Sequence, residues 1–136
     1  MRTSNAARIW SLNQQVLTRV MNDCAPDIEA LGLEAKEFLV LGEVDDCRYP
    51  AELAVRLVLP KPSVTVYLKN LEAKGFVRRE IDPGDLRRHR LAVTPTGTRT
   101  LAEAVRILSA KFDEWLVRLD LEEQSELQRL LAKLLD

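Results

Sequence analysis

At 136 residues the chain is the size of one domain, long enough to bury a single sizeable core and too short for two independent ones. A hydrophobic share of 46% and a charged share of 30%, with both signs interspersed, exclude disordered and fibrous classes. No apolar run approaches the roughly 18 residues that span a bilayer, and the opening MRTSNAARIW lacks the apolar core of a secretion signal, so a cytoplasmic protein with no membrane partner is expected.

From about residue 4 to Cys24, the positions Ile9, Leu12, Val16, Leu17 and Val20 recur at spacings of three and four, which predicts an amphipathic helix interrupted by Pro26. EAKEFLVLGEV (34–44) predicts a second helix with Phe38, Leu39 and Leu41 inward. PAELAVRLVL (50–59) predicts a short third, opened by a proline whose missing N–H is harmless in a first turn, with Leu53, Ala54 and Leu57 on one face. A fourth is expected from near Pro62 to just before Gly75, with Val64, Leu68 and Leu71 inward. FVRREI and HRLAV are β-type runs separated by DPGDLRR, and predict a hairpin with an irregular, solvent-facing loop. Thr94-Pro95 supplies an N-cap and a first-turn proline for a long helix carrying Leu101, Val105, Leu108, Phe112, Trp115 and Leu119. Asp120 and Glu123 form a capping pair for a last helix with the stripe Leu127, Leu130, Leu131, Leu134 and Leu135.

The fold class is therefore mostly α with a small β-hairpin wing: a winged helix-turn-helix over about 34–97, flanked by N- and C-terminal helices over about 1–30 and 98–136, in one domain. Charge supports a nucleic-acid reading of the wing region. The formal net charge is −1, but residues 60–99 hold nine Lys or Arg against four Asp or Glu, and the remainder carries the opposite imbalance. Local charge is what a phosphate backbone senses within a Debye length.

With Val64, Leu68 and Leu71 inward, the fourth helix presents Ser63, Thr65, Val66, Lys69 and Asn70 as readers of base edges. Lys61 and Lys69 suit phosphates or guanine edges, the hydroxyls of Ser63 and Thr65 suit phosphates, and Val66 suits a thymine methyl or a sugar. In the wing, alternation sends Leu91 and Val93 to one face and Arg88 with Arg90 to the other, leaving His89 on the parity of the buried side. Asp85 and Arg87, two apart at the turn, are placed to bond each other and stiffen the loop. The first and last helices together expose more apolar surface, at Ile9, Leu12, Val16, Leu127, Leu130, Leu131 and Leu134, than a small wing domain covers, so a partner surface is expected unless those faces pack together within one chain.

ELAVRL (52–57), PSVTVYLKNLEAKGFVRRE (62–80) and DPGDLRRHRLAVTPTG (82–97) carry a resemblance to the multiple-antibiotic-resistance regulator (MarR) family of bacterial winged-helix transcription factors, and it covers nearly the full length. The family's wing pattern falls on Asp85, Arg87, Val93, Thr94 and Gly97; the chain departs from it at Val66, where relatives often carry a basic residue. The resemblance implies a homodimer made by the first and last helices, a pseudo-palindromic double-stranded DNA operator, and repression of nearby genes. It also implies a small aromatic effector or an oxidant. Trp10, Met21, Phe38 and Tyr49 are candidates to line an effector pocket, each more readily read as core packing. Cys24 is the candidate for a thiol-based redox sensor, although with Asp23 beside it and no resolving partner it reads more readily as an inert cysteine.

Other classes find less in the sequence. It has no glycine-rich phosphate loop and no nucleophile paired with a base, so no enzyme and no cofactor are expected. His89 is the single histidine and Cys24 and Cys47 lack metal-ligand spacing, so no metal is expected either. The main rival is a winged-helix module for protein–protein contacts, its basic wing meeting an acidic partner.

Overall fold

The computed structural model describes residues 5–136. The elements in chain order are α1 (Ala6–Glu29), α2 (Ala35–Glu43), α3 (Pro50–Leu57), α4 (Lys61–Ala73), β1 (Val77–Asp82), β2 (Asp85–Val93), α5 (Pro95–Leu116) and α6 (Leu121–Leu135). They form two compact units, one of residues 25–106 and one of residues 5–24 with 107–136. Among the described residues no helix is long and apolar enough to cross a membrane.

The expected start of the first helix, at residue 4, lies outside the described residues. Its expected end is corrected: α1 runs through Pro26 to Glu29. Proline deletes only the N–H that would reach back to Asn22, and the helical bonding resumes with Ala30 N–H to the Pro26 carbonyl at 3.0 Å. Cys24 and Ile28, one turn apart and both buried, keep the segment on its apolar stripe. Gly32, at φ 92, then turns the chain in a conformation other residues adopt at a cost.

In the unit of residues 25–106, α2, α3 and α4 close around Leu41, Val44, Leu53, Val64, Leu68 and Leu71, all essentially inaccessible to solvent. Each such side chain contributes about 1.5–3 kcal/mol by leaving water. Leu39, expected inside, is instead 49% exposed, while Glu37 is buried at 1%. The buried stripe of α2 runs through Glu37, Val40, Leu41 and Val44, and Leu39 lies roughly 200° around the helix from Leu41. Glu37 Oε1 accepts from the Glu34 N–H at 3.0 Å and from Lys74 Nζ at 2.5 Å. Burial pushes its carboxyl up, but these bonds and the Lys74 charge outweigh that and hold it below the usual 4.5.

The hairpin agrees with expectation in part. Asp85 pairs with Asp82 across a two-residue Pro83-Gly84 turn, so β2 starts earlier than expected. The register shifts between Ile81 and Asp82 and leaves Leu86, Arg87 and Arg88 outside the regular pairing, which keeps this stretch irregular. Asp82 Oδ1 accepts from the Gly84 N–H at 2.8 Å and fixes the turn. At the root, Thr94 joins three segments. Its N–H reaches the Phe76 carbonyl at 3.0 Å, its hydroxyl donates to the Gly75 carbonyl at 2.6 Å, and the same oxygen caps α5 by accepting from Gly97 N–H at 2.9 Å. Gly97 has no substitute here: a Cβ would sit 2.1 Å from the Phe76 oxygen.

In the other unit, α6 opens with a reciprocal cap in which Asp120 Oδ1 accepts from Glu123 N–H at 2.8 Å and Glu123 Oε1 from Asp120 N–H at 3.0 Å. No residue of α6 is buried.

Candidate nucleic-acid interface

α3 and α4 are joined through Val58, Leu59 and Pro60. The third helix stops at Leu57, two residues before its expected end, because Val58 takes the left-handed conformation (φ 54, ψ 45) and the Leu59 N–H folds back to the Ala54 carbonyl at 3.1 Å. For a β-branched residue this costs on the order of 1–2 kcal/mol, and no glycine or asparagine marks the turn in the sequence. It brings α4 out with Val64, Leu68 and Leu71 buried and with Lys61, Thr65, Val66, Lys69 and Asn70 exposed; Ser63 is half-buried.

In the wing, Leu91 is buried, Val93 is half-buried, and Arg88 and Arg90 take the other face, but two expectations are corrected. His89 is exposed, and so is Ile81, its cross-strand partner, while on the neighbouring positions Arg88 and Asp82 meet Tyr49 and Glu52. Arg88 and Arg90 do not stand free. Arg90 Nε lies 3.3 Å from Glu80 Oε2, and Glu80 also holds Arg78 at 2.8 Å. The hydrogen bond and charge of Arg78, with a lesser part from Arg90, outweigh desolvation and keep the Glu80 carboxyl below its usual range. Arg88 Nη2 lies 3.2 Å from Glu52 on α3, and its guanidinium rests 3.6 Å over the ring of Tyr49.

The expected bond between Asp85 and Arg87 takes a different form. Asp85 Oδ1 accepts from the Arg87 backbone N–H at 3.0 Å, which fixes the turn and leaves the guanidinium uncommitted. The wing is braced chiefly elsewhere. Tyr49 donates its phenol to Asp82 Oδ2 at 2.5 Å, and the Leu91 N–H bonds the Arg48 carbonyl at 2.7 Å. The phenol and the Gly84 N–H hold the Asp82 carboxyl below its usual range, and the same carboxylate raises the Tyr49 phenol. Sequence reasoning missed this brace because residues 49 and 82 are distant in the chain, and the turn motif that Asp82 opens says nothing of Tyr49.

These contacts sort the cations. Arg56, Lys74, Arg78, Arg79, Arg88 and Arg90 each lie beside a carboxylate. Lys61 and Lys69 on α4 and Arg87 at the wing tip have none within 4.0 Å among the described residues. Unneutralised charge in this unit thus includes the outer face of α4 and the tip of the hairpin.

The four candidates for an effector pocket divide between the units. Trp10 is 68% exposed on α1, where it edges an open trough with Gln14 and Arg19, and Met21 is half-buried. Phe38 belongs to the core of the other unit, and Tyr49 serves the wing. Cys24 is buried, its thiol 3.7 Å from the Met21 carbonyl, a placement that gives an oxidant no surface to attack. Of the candidate dimer residues, Ile9, Leu12, Leu130, Leu131 and Leu134 are exposed, and Val16 and Leu127 are half-buried.

Comparison with known proteins agrees with this geometry. Residues 31–88 match the MarR family. Over 79 residues the chain is 37% identical to the transcriptional regulator HosA of Escherichia coli O111:H-, a match spanning 58% of each chain. Among solved structures it is similar in fold to MarR, with a TM-score of 0.83 at 20% identity over 98% of this chain and 92% of that one. It is likewise similar to the transcriptional repressor CouR bound to a 23-mer DNA duplex, with a TM-score of 0.79 at 24% identity over 100% and 99%.

Proposed function

We propose that the chain is a winged-helix transcriptional regulator of the MarR family that binds double-stranded DNA as a homodimer and represses transcription, a reading supported by the match of residues 31–88 to that family and by the 37% identity to HosA over 79 residues. The observation that carries this reading is the placement of Lys61, Lys69 and Arg87, which offer charge without a neighbouring carboxylate on a groove-sized helix and on the hairpin of the same compact unit. The CouR–DNA complex, similar over the whole chain, supports the partner and the repressor role. The homodimer is supported by α6, an amphipathic helix with no buried residue, and by the exposed Ile9 and Leu12 of the same unit. Two-fold symmetry sets the operator as an inverted repeat with half-sites about one helical turn apart, roughly 34 Å.

Selection of bound duplexes from a random pool tests the reading directly, and an inverted repeat is expected to emerge. With about four phosphates neutralised per protomer, log affinity should fall against log salt with a slope near −7. No enrichment, with a flat salt response, rejects DNA as the partner and favours a protein-binding wing.

A further inference from the structure

Val66 is a large apolar side chain left 54% exposed in the middle of α4, turned away from the stripe of Val64, Leu68 and Leu71. Its surroundings make it the centre of the outer face. Lys69 lies three residues on, one turn along the same side, and Lys61 stands at the start of the helix; neither has a carboxylate partner among the described residues. The polar neighbours are partly committed. The Thr65 hydroxyl donates to the Lys61 carbonyl at 3.0 Å, so its hydrogen serves the helix backbone. Thr65 and Val66 are the exposed methyl-bearing side chains between the two cations, with the half-buried Ser63 hydroxyl nearer the helix start.

Four base-pair orientations reach the major groove, and thymine alone among the unmodified bases carries a methyl group there. Resting on the DNA-binding reading above, we propose that Val66 reads a thymine methyl, so that each operator half-site carries a thymine facing the centre of α4. The alternative contact, packing on a sugar, would be blind to the base. Lys61 and Lys69 supply the attraction that presses an uncharged residue against the groove, and exclusion of water from the valine and the methyl supplies the discrimination.

Deoxyuridine separates these possibilities, since it pairs as thymine does, keeps the minor-groove edge unchanged, and lacks only the methyl. The probe is a duplex selected from a random pool by the full chain, with each thymine replaced singly by deoxyuridine and affinity read by fluorescence anisotropy. At one thymine per half-site a loss of about fourfold is expected, the equivalent of one buried methyl group. Val66→Ser should abolish that penalty, and Val66→Ile, which keeps an apolar tip, should retain it. A duplex that binds with no penalty at any thymine, or with the same penalty in Val66→Ser, overturns the inference while leaving DNA binding intact. Failure to bind any duplex sinks the underlying reading as well, and is seen before a single base is replaced.

Discussion

The guanidinium of Arg88 lies 3.6 Å over the ring of Tyr49, and the phenol of that ring donates to Asp82 at 2.5 Å. One residue just ahead of α3 thus grips both strands of the wing. Tyr49→Phe keeps the ring under Arg88 and removes the hydrogen bond, so the Asp82 carboxyl should titrate closer to its ordinary 3.8. A carboxyl with a depressed folded pKa adds stability above its unfolded pKa and loses it as pH falls through the folded value. The variant should therefore lose part of this contribution, with the difference closing below the folded pKa. Carbon-13 NMR titration of Asp82 checks this, and an unmoved titration in Tyr49→Phe would show that the phenol does not hold the carboxylate.

Glu52 holds Arg88 at 3.2 Å, so a phosphate reaching that guanidinium in the proposed complex would have to displace it. Glu52→Gln should release that cation, tighten duplex binding and steepen the salt slope by about 1.8 for a dimer gaining two phosphate contacts. Arg87→Ala should make the slope shallower by a similar amount. Salt titrations of both variants check this, and a Glu52→Gln slope equal to that of the parent chain would rule out competition between Glu52 and DNA.

Lys74→Met strands the buried carboxylate of Glu37. Breaking a buried pair costs about 3 kcal/mol at the low end, the end that fits a partly exposed lysine. The Glu37 carboxyl lies below its usual 4.5, so the deficit should be full at neutral pH and narrow on acidification as the group protonates. Urea denaturation at two pH values reads both effects.

Gly97→Ala places a methyl 2.1 Å from the Phe76 carbonyl oxygen and 2.9 Å from Val93 Cγ1, where only backbone movement makes room. A loss of about 3 kcal/mol is expected, at the upper end of overpacking penalties. Calorimetry should show a lowered midpoint. A wild-type midpoint would mean that the wing root is looser than its hydrogen bonds imply.

Leu131→Arg sets a charge in the exposed apolar face of α6. If that face is the dimer seam, sedimentation should find monomers at concentrations where the parent chain is paired. An intact dimer in the variant would move the seam elsewhere.

Periodic and capped elements were legible from the sequence alone. Val64, Leu68 and Leu71 announced the inner side of α4, Thr94 and Asp120 announced helix starts, and the paired β-type runs announced the hairpin. What escaped was set by tertiary context. Leu39, expected inside, is exposed, and Glu37 is buried in the same helix, where a lysine 37 residues later satisfies it. Val58 turns left-handed without a residue suited to it. Arg88 and Arg90 followed strand parity, but parity says nothing of Glu52 or Glu80, so the residue reckoned a brace, Arg87, is the one whose charge is free.

The wing behaves mechanically as a beam clamped at its root by Thr94 and propped near its tip by Tyr49. Two separate anchor points, one at each end, constrain how far the hairpin tip can stray from the outer surface of α4 within one protomer.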